Sequence, residues 1–133
     1  MVTDDEQRKY IRVPFKTVAC LWSLKQDAKE IRCDQTRDIS LKGIYCYSDI
    51  KFSVGTPCEM ELHLTDTGSK VVLFLKGRVV RTDEEGMGIK FEEIDLDSFF
   101  LLKNILNYNT GDPEGIEKEL TGYIENNLRG EKT

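Results

Sequence analysis

The residues best able to do chemistry fall in two short clusters. The first is Arg8-Lys9-Tyr10-Ile11-Arg12. Its two arginines are four positions apart, so they point to one side of an extended segment and share one face of a helix. Each guanidinium offers planar, paired donors that match phosphate oxygens or the O6/N7 edge of guanine. The second cluster is Asp38-Ile39-Ser40-Leu41-Lys42-Gly43. Asp38 and Ser40 share one side of an extended segment. An aspartate accepts from N–H groups on a base edge, and a serine can donate to a phosphate or accept from a base. Gly43 is free to take a positive φ and lets a ligand approach the backbone. Singly, each cluster is ordinary: a solvated basic arm and a polar turn. Together they supply a cationic arm facing a polar, glycine-containing turn, a combination open to a small phosphate-bearing ligand.

No other residues form a reactive constellation, and no catalytic residue is expected. His63 is the only histidine and alternates with Glu59 and Glu61 on a solvent-facing side. A general base needs a paired and oriented imidazole. Gly86-Met87-Gly88 lacks the third glycine and following helix of a dinucleotide loop, so it is turn chemistry. Asp83-Glu84-Glu85 and Glu92-Glu93 are expected to be solvated runs beside turns. Cys20, Cys33, Cys46 and Cys58 have no metal-ligand spacing, so four reduced, partly buried thiols and no metal are expected.

The chain has 133 residues, of which 39% are hydrophobic and 32% charged. That is about one domain with globular composition. A net charge of −5 argues against a partner such as long nucleic acid, whose binding rests on many lysine and arginine contacts to phosphate. It leaves room for a small anion held by a local basic patch. Met1 to Gln7 are polar and acidic, without the basic-then-apolar order of a secretory leader. No apolar run approaches the ~20 residues that a bilayer requires. A cytoplasmic protein without membrane insertion is the expectation.

The elements that must position the clusters are mostly strands. Val18 to Leu24 is apolar enough for a core strand, and Glu30 to Cys33 begins a second. Gly43 to Ser48 is aromatic and β-branched. Cys58 to Leu64 alternates, with Cys58, Met60, Leu62 and Leu64 on one face. Val71 to Thr82 is long and β-prone, and Asp83 to Gly86 turns it into a short strand, Gly86 to Phe91. Six short strands at close spacing predict a mainly β, antiparallel barrel. Asp95 can cap a helix over Leu96 to Leu106. Asp112 and Pro113 can start another, with Ile116, Leu120, Tyr123, Ile124 and Leu128 on one stripe. Two fates are open to this second helix: packing within the chain, or contact with another copy in a homodimer. The organisation expected is a flexible arm over 1–17, a barrel over 18–94 and helices over 95–128.

R-x-x-x-R followed, after one strand, by [DN]-x-S-x-x-G resembles the signature of PilZ domains, bacterial receptors for the second messenger cyclic di-GMP. Gly77-Arg78-Val79-Val80-Arg81 with Gly86-Met87-Gly88-Ile89-Lys90-Phe91 resembles that family's closing strands. The likeness runs over residues 7–106 and every signature position is filled. It implies a six-stranded antiparallel PilZ-type β-barrel, no enzymatic activity, and cyclic di-GMP as ligand with no further cofactor. Arg8 and Arg12 would contact phosphate and guanine. Asp38, Ser40 and Gly43 would line the opposite wall, with Gln7, Lys9 and Lys42 bordering the site. Ligand would order the arm and alter the interaction with a downstream protein. The alternative is a protein-interaction adaptor of the same fold that does not depend on nucleotide.

Overall fold

Alternating apolar residues form most of the strands, and two capped segments form the helices. The computed structural model describes residues 10–25, 29–66 and 69–131, with the side chains of all but 65–66, 69–70, 123 and 125–131. The elements are β1 (Val13–Pro14), β2 (Val18–Ser23), β3 (Glu30–Cys33), β4 (Gln35–Ile39), β5 (Gly43–Tyr47), β6 (Pro57–Asp66), β7 (Ser69–Thr82), β8 (Gly86–Ile94), α1 (Leu96–Asn109) and α2 (Pro113–Glu131). The strands form one antiparallel sheet in the order β1-β4-β5-β8-β7-β6-β2-β3.

Eight strands reduce to six staves. Val13 pairs with Ile39 on β1 and β4, and six residues further on Ala19 pairs with Cys33 on β2 and β3. The two ladders therefore share one register, and 13–23 and 30–39 are two long strands, each bent in the middle. Buried Thr36 holds the bend together. Its hydroxyl donates to the Phe15 carbonyl at 2.6 Å and accepts from the Thr17 N–H at 3.0 Å, and its N–H donates to the Thr17 carbonyl at 3.0 Å. Because β2 also pairs with β6 and β4 with β5, the sheet curls back on itself as a six-stave barrel. Residues 13–17, within the stretch expected to be an arm, lie in this ladder, and Val13 is buried.

The barrel interior takes alternate residues from each stave, including Leu21, Ile39, Ile44, Met60, Leu62, Leu73, Val79 and Ile89. All four cysteines are free and buried, more deeply than expected, and burial pushes the Cys58 thiol up to about 11. β8 runs three residues past Phe91. Glu92 and Glu93 are therefore strand residues, not a turn-side run. On β7, Lys76 stands opposite Glu93 in register, and Arg78 Nε lies 3.1 Å from Glu92 Oε2.

The helices extend the same core. Asp95 caps α1 by accepting from the Ser98 N–H at 3.1 Å, and that bonding holds its carboxyl below the usual range. The Ser98 hydroxyl in turn accepts the Phe74 N–H at 2.9 Å, fastening α1 to β7. Phe99, Leu102, Ile105 and Leu106 are buried. Asp112 caps α2 by accepting from the Gly115 N–H at 3.1 Å. Ile116 and Leu120 bury in the same core, so this part of α2 packs within the chain, while Ile124 is exposed.

Candidate ligand-binding site

The two clusters meet where β1 lies on β4. Pairing of Pro14 with Asp38 sets Arg12 beside the end of β4. The Arg12 guanidinium is 3.7 Å from one Asp38 oxygen, and Arg37 Nε is 2.8 Å from the other. Asp38 therefore stands between two guanidinium groups, both partly open to solvent. Asp38 and Ile39 end β4 instead of opening the turn. The turn itself is Ser40 to Lys42, and Gly43 begins β5.

Ser40 is buried, and its Oγ accepts from the N–H groups of Lys42 at 3.1 Å and Gly43 at 3.2 Å. Its lone pairs fix the turn, while the hydroxyl proton remains a donor. The Lys42 carbonyl accepts from Phe91 N–H at 2.8 Å, which ties the turn to β8. Gly43 does not use its freedom to take a positive φ; among the described glycines only Gly55 does. Gly43 is needed because a Cβ there would lie 2.6 Å from the Ile89 carbonyl oxygen. Lys42 Nζ lies 5.7 Å from the Tyr10 ring centroid, so the end of the first cluster reaches the turn. Gln7, Arg8 and Lys9 lie outside the described residues.

Three residues beside this site were not singled out from the sequence. The Arg37 guanidinium stacks 3.9 Å from the Tyr45 ring centroid, and that of Arg81 lies 5.6 Å from the same ring. Tyr45 sits on the outer side of β5, yet it is buried because these two side chains cover it. Arg81 reaches it by lying across Gly88, where a Cβ would come within 3.0 Å of the Arg81 side chain. The Tyr45 hydroxyl donates to Asp83; burial and that carboxylate raise the phenol's pKa, and the same bond lowers that of Asp83. The alternation Ile44-Tyr45-Cys46-Tyr47 signals that the tyrosines face outward. Nothing local signals which arginines cross to them. The outcome is a cationic outer face with Arg12, Arg37, Lys42 and Arg81 on a chain of net charge −5.

A fourth contact comes from the far end of the chain. Ile11 N–H donates to Glu119 Oε2 on α2 at 2.8 Å. Gly115, one turn earlier, leaves room for Ile11; a Cβ there would lie 2.7 Å from Ile11 Cδ1. Burial raises the pKa of the Glu119 carboxyl, so the folded chain binds its proton more tightly than the unfolded chain. Stability from this group is then greatest below the ordinary value of 4.5 and falls as pH rises through the raised folded value. Glu119→Gln keeps an acceptor for Ile11 and is expected to flatten that part of the pH–stability curve. Glu119→Ala removes the acceptor and is expected to cost about 1.5 kcal/mol at pH 7. Thermal melts of both variants between pH 4 and 8 check the pair.

No helix among the described residues is long and apolar enough to cross a membrane, and no group of three or more His, Cys, Asp or Glu side chains there could hold a metal. No curated protein matches the chain. Among solved structures it is similar to the Bacillus subtilis inhibitor of motility, MotI/DgrA, with a TM-score of 0.59 and 21% identity, over 86% of this chain and 52% of that one. It thus spans about half the length of that protein. It is also similar to the PilZ domain of CeSA from a cellulose-synthesizing bacterium, with a TM-score of 0.53 and 18% identity, over 71% of this chain and 93% of that one. The PilZ domain family matches residues 6–108, which include both clusters and all of the barrel, and the chain belongs to that family.

Proposed function

We propose that this protein is a non-enzymatic cytoplasmic receptor for cyclic di-GMP, with Arg8, Arg12, Asp38, Ser40 and Gly43 around the ligand and no other cofactor. The observation that carries the reading is the placement of Arg12 against Asp38 beside the Ser40–Lys42 turn, in a chain of the family that binds this nucleotide. Cyclic di-GMP brings two phosphates and two guanines. Arg12 offers a fork for phosphate or guanine O6/N7. Asp38 is an acceptor for guanine N–H groups, and Arg37 holds its second oxygen in place. The Ser40 hydroxyl proton is a donor toward phosphate. Gln7, Lys9 and Lys42 border the site.

Binding would neutralise the basic segment ahead of β1 and order it across the barrel face. That ordering has a physical route onward, because Ile11 is tied to Glu119 on α2. Altered contact with a downstream protein would follow.

Titration calorimetry tests this directly. Saturable heat at micromolar cyclic di-GMP is expected, and no heat at high micromolar ligand would sink the receptor reading in favour of a nucleotide-independent adaptor. Amide relaxation of the arm residues ahead of β1 checks the ordering step; identical values with and without ligand would refute it.

A further inference from the structure

A concave surface lies on the opposite side of the barrel. It is a groove of about 780 Å³ running from β2 across β6 and β7 to the β8–α1 junction. In the ring of six staves, β7 and β6 stand opposite the β3/β4 stave and β5, which carry the nucleotide face. The groove therefore shares none of that site's residues.

Its chemistry is specific. Trp22 and the half-exposed Phe74 supply aromatic surface. Glu59, Glu61, Glu93 and Asp95 supply four carboxylates, against one cation, Lys76. Lys76 pairs in register with Glu59 on one side and Glu93 on the other, so the lining carries a net charge of about −3 by formal charges at pH 7. Exposure of a large aromatic beside a carboxylate cluster is unexplained by the fold: the core is complete without Phe74, whose side chain points away from it.

We infer that this groove docks a lysine- or arginine-rich amphipathic segment of a partner protein. Carboxylates flanking aromatic faces suit cationic side chains twice, by charge and by cation–π contact. Four strands at their usual spacing span about 15 Å, enough for one helix with its side chains. An anionic membrane is repelled by the same carboxylates. A second copy of this chain offers a poor match, since the first two turns of α2 carry Glu114, Glu117 and Glu119 against Lys118.

Trp22 is the only tryptophan in the chain, so its emission reports the groove alone. The probe is a tryptophan-free amphipathic helix of leucine and lysine, with its leucine–glutamate counterpart as control. The expected result is a saturable shift of Trp22 emission with the lysine peptide only. Glu59→Lys with Glu93→Lys is expected to weaken binding at least tenfold, and Phe74→Ala to weaken it independently, with thermal midpoints of the variants close to the parent. An unchanged Trp22 spectrum, or equal binding by the charge-reversed variant, overturns the inference. A concentration-dependent dimer abolished by Phe74→Ala would overturn it in favour of a second copy. Arg12→Ala is expected to bind the peptide as the parent does, so failure of nucleotide binding and failure of this surface are separate results.

Discussion

Arg12→Ala is expected to remove cyclic di-GMP binding while leaving the empty barrel as stable as before. The binding loss follows from the chemistry of the contact. A guanidinium paired with a phosphate makes two charge-assisted hydrogen bonds, and truncating such a partner costs about 3 kcal/mol or more, roughly a hundredfold in Kd. The stability side follows from geometry. Arg12 is 44% exposed and sits 3.7 Å from Asp38, and an exposed pair of that kind contributes between about 0 and 1 kcal/mol. Asp38 is not orphaned by the change, because Arg37 stays 2.8 Å from its other oxygen. Arg12→Lys is expected to fall between, since it keeps the charge and loses the fork. The same loss of binding is expected for Arg8→Ala, at a position outside the described residues. Calorimetry and thermal melts on the same samples read both sides. Parental affinity in Arg12→Ala would remove the arginine from the site, and a midpoint drop of many degrees would make it a structural residue.

How far such a site is legible in sequence depends on whether its parts are local. The strands of the barrel interior announce themselves because one face is buried and the period is two, as in Cys58 to Leu64. The helix starts are equally local: Asp95 and Asp112 sit one residue ahead of Leu96 and Pro113, where a cap must be. β4 is harder. Gln35-Thr36-Arg37-Asp38-Ile39 is polar and reads as the approach to a turn. It becomes a strand because β1 and β5 pair with it on its two sides, which satisfies its backbone whatever its side chains are. The stacking of Arg37 and Arg81 on Tyr45 is harder still. It joins β4, β5 and β7 across β8, and only the strand order brings 37, 45 and 81 together. Glu119 is the extreme case, since a glutamate 108 positions from Ile11 has no local mark of its partner. Motif spacing marked Arg12 and Asp38 as a pair, but the groups that hold them in place come from the topology.

Gly43 shows where motif reasoning and packing give different answers, and alanine there separates them. If the glycine served only to let a ligand approach, Gly43→Ala would weaken binding and leave the empty protein's melting unchanged. The geometry predicts otherwise. The new Cβ would lie 2.6 Å from the Ile89 carbonyl oxygen, a backbone atom that cannot rotate away. Gly43 is paired with Lys90, and the flanking Phe91 N–H is bonded to the Lys42 carbonyl, so β5 and β8 must spread to admit it. Overpacking of this kind costs about 2–3 kcal/mol, which lowers the melting midpoint of a domain this size by about 10 °C. The strain spreads to the turn, because Gly43 N–H and carbonyl both bond to Ser40. Gly122→Ala provides the contrast: nothing lies within 4 Å of a Cβ in that helix, and the change is expected to stabilise by up to about 1 kcal/mol. Differential scanning calorimetry of the empty variants decides the matter. A Gly43→Ala midpoint within about 2 °C of the parent, a shift worth well under 1 kcal/mol here, would mean that β5 and β8 part without cost and that the glycine answers to the ligand instead.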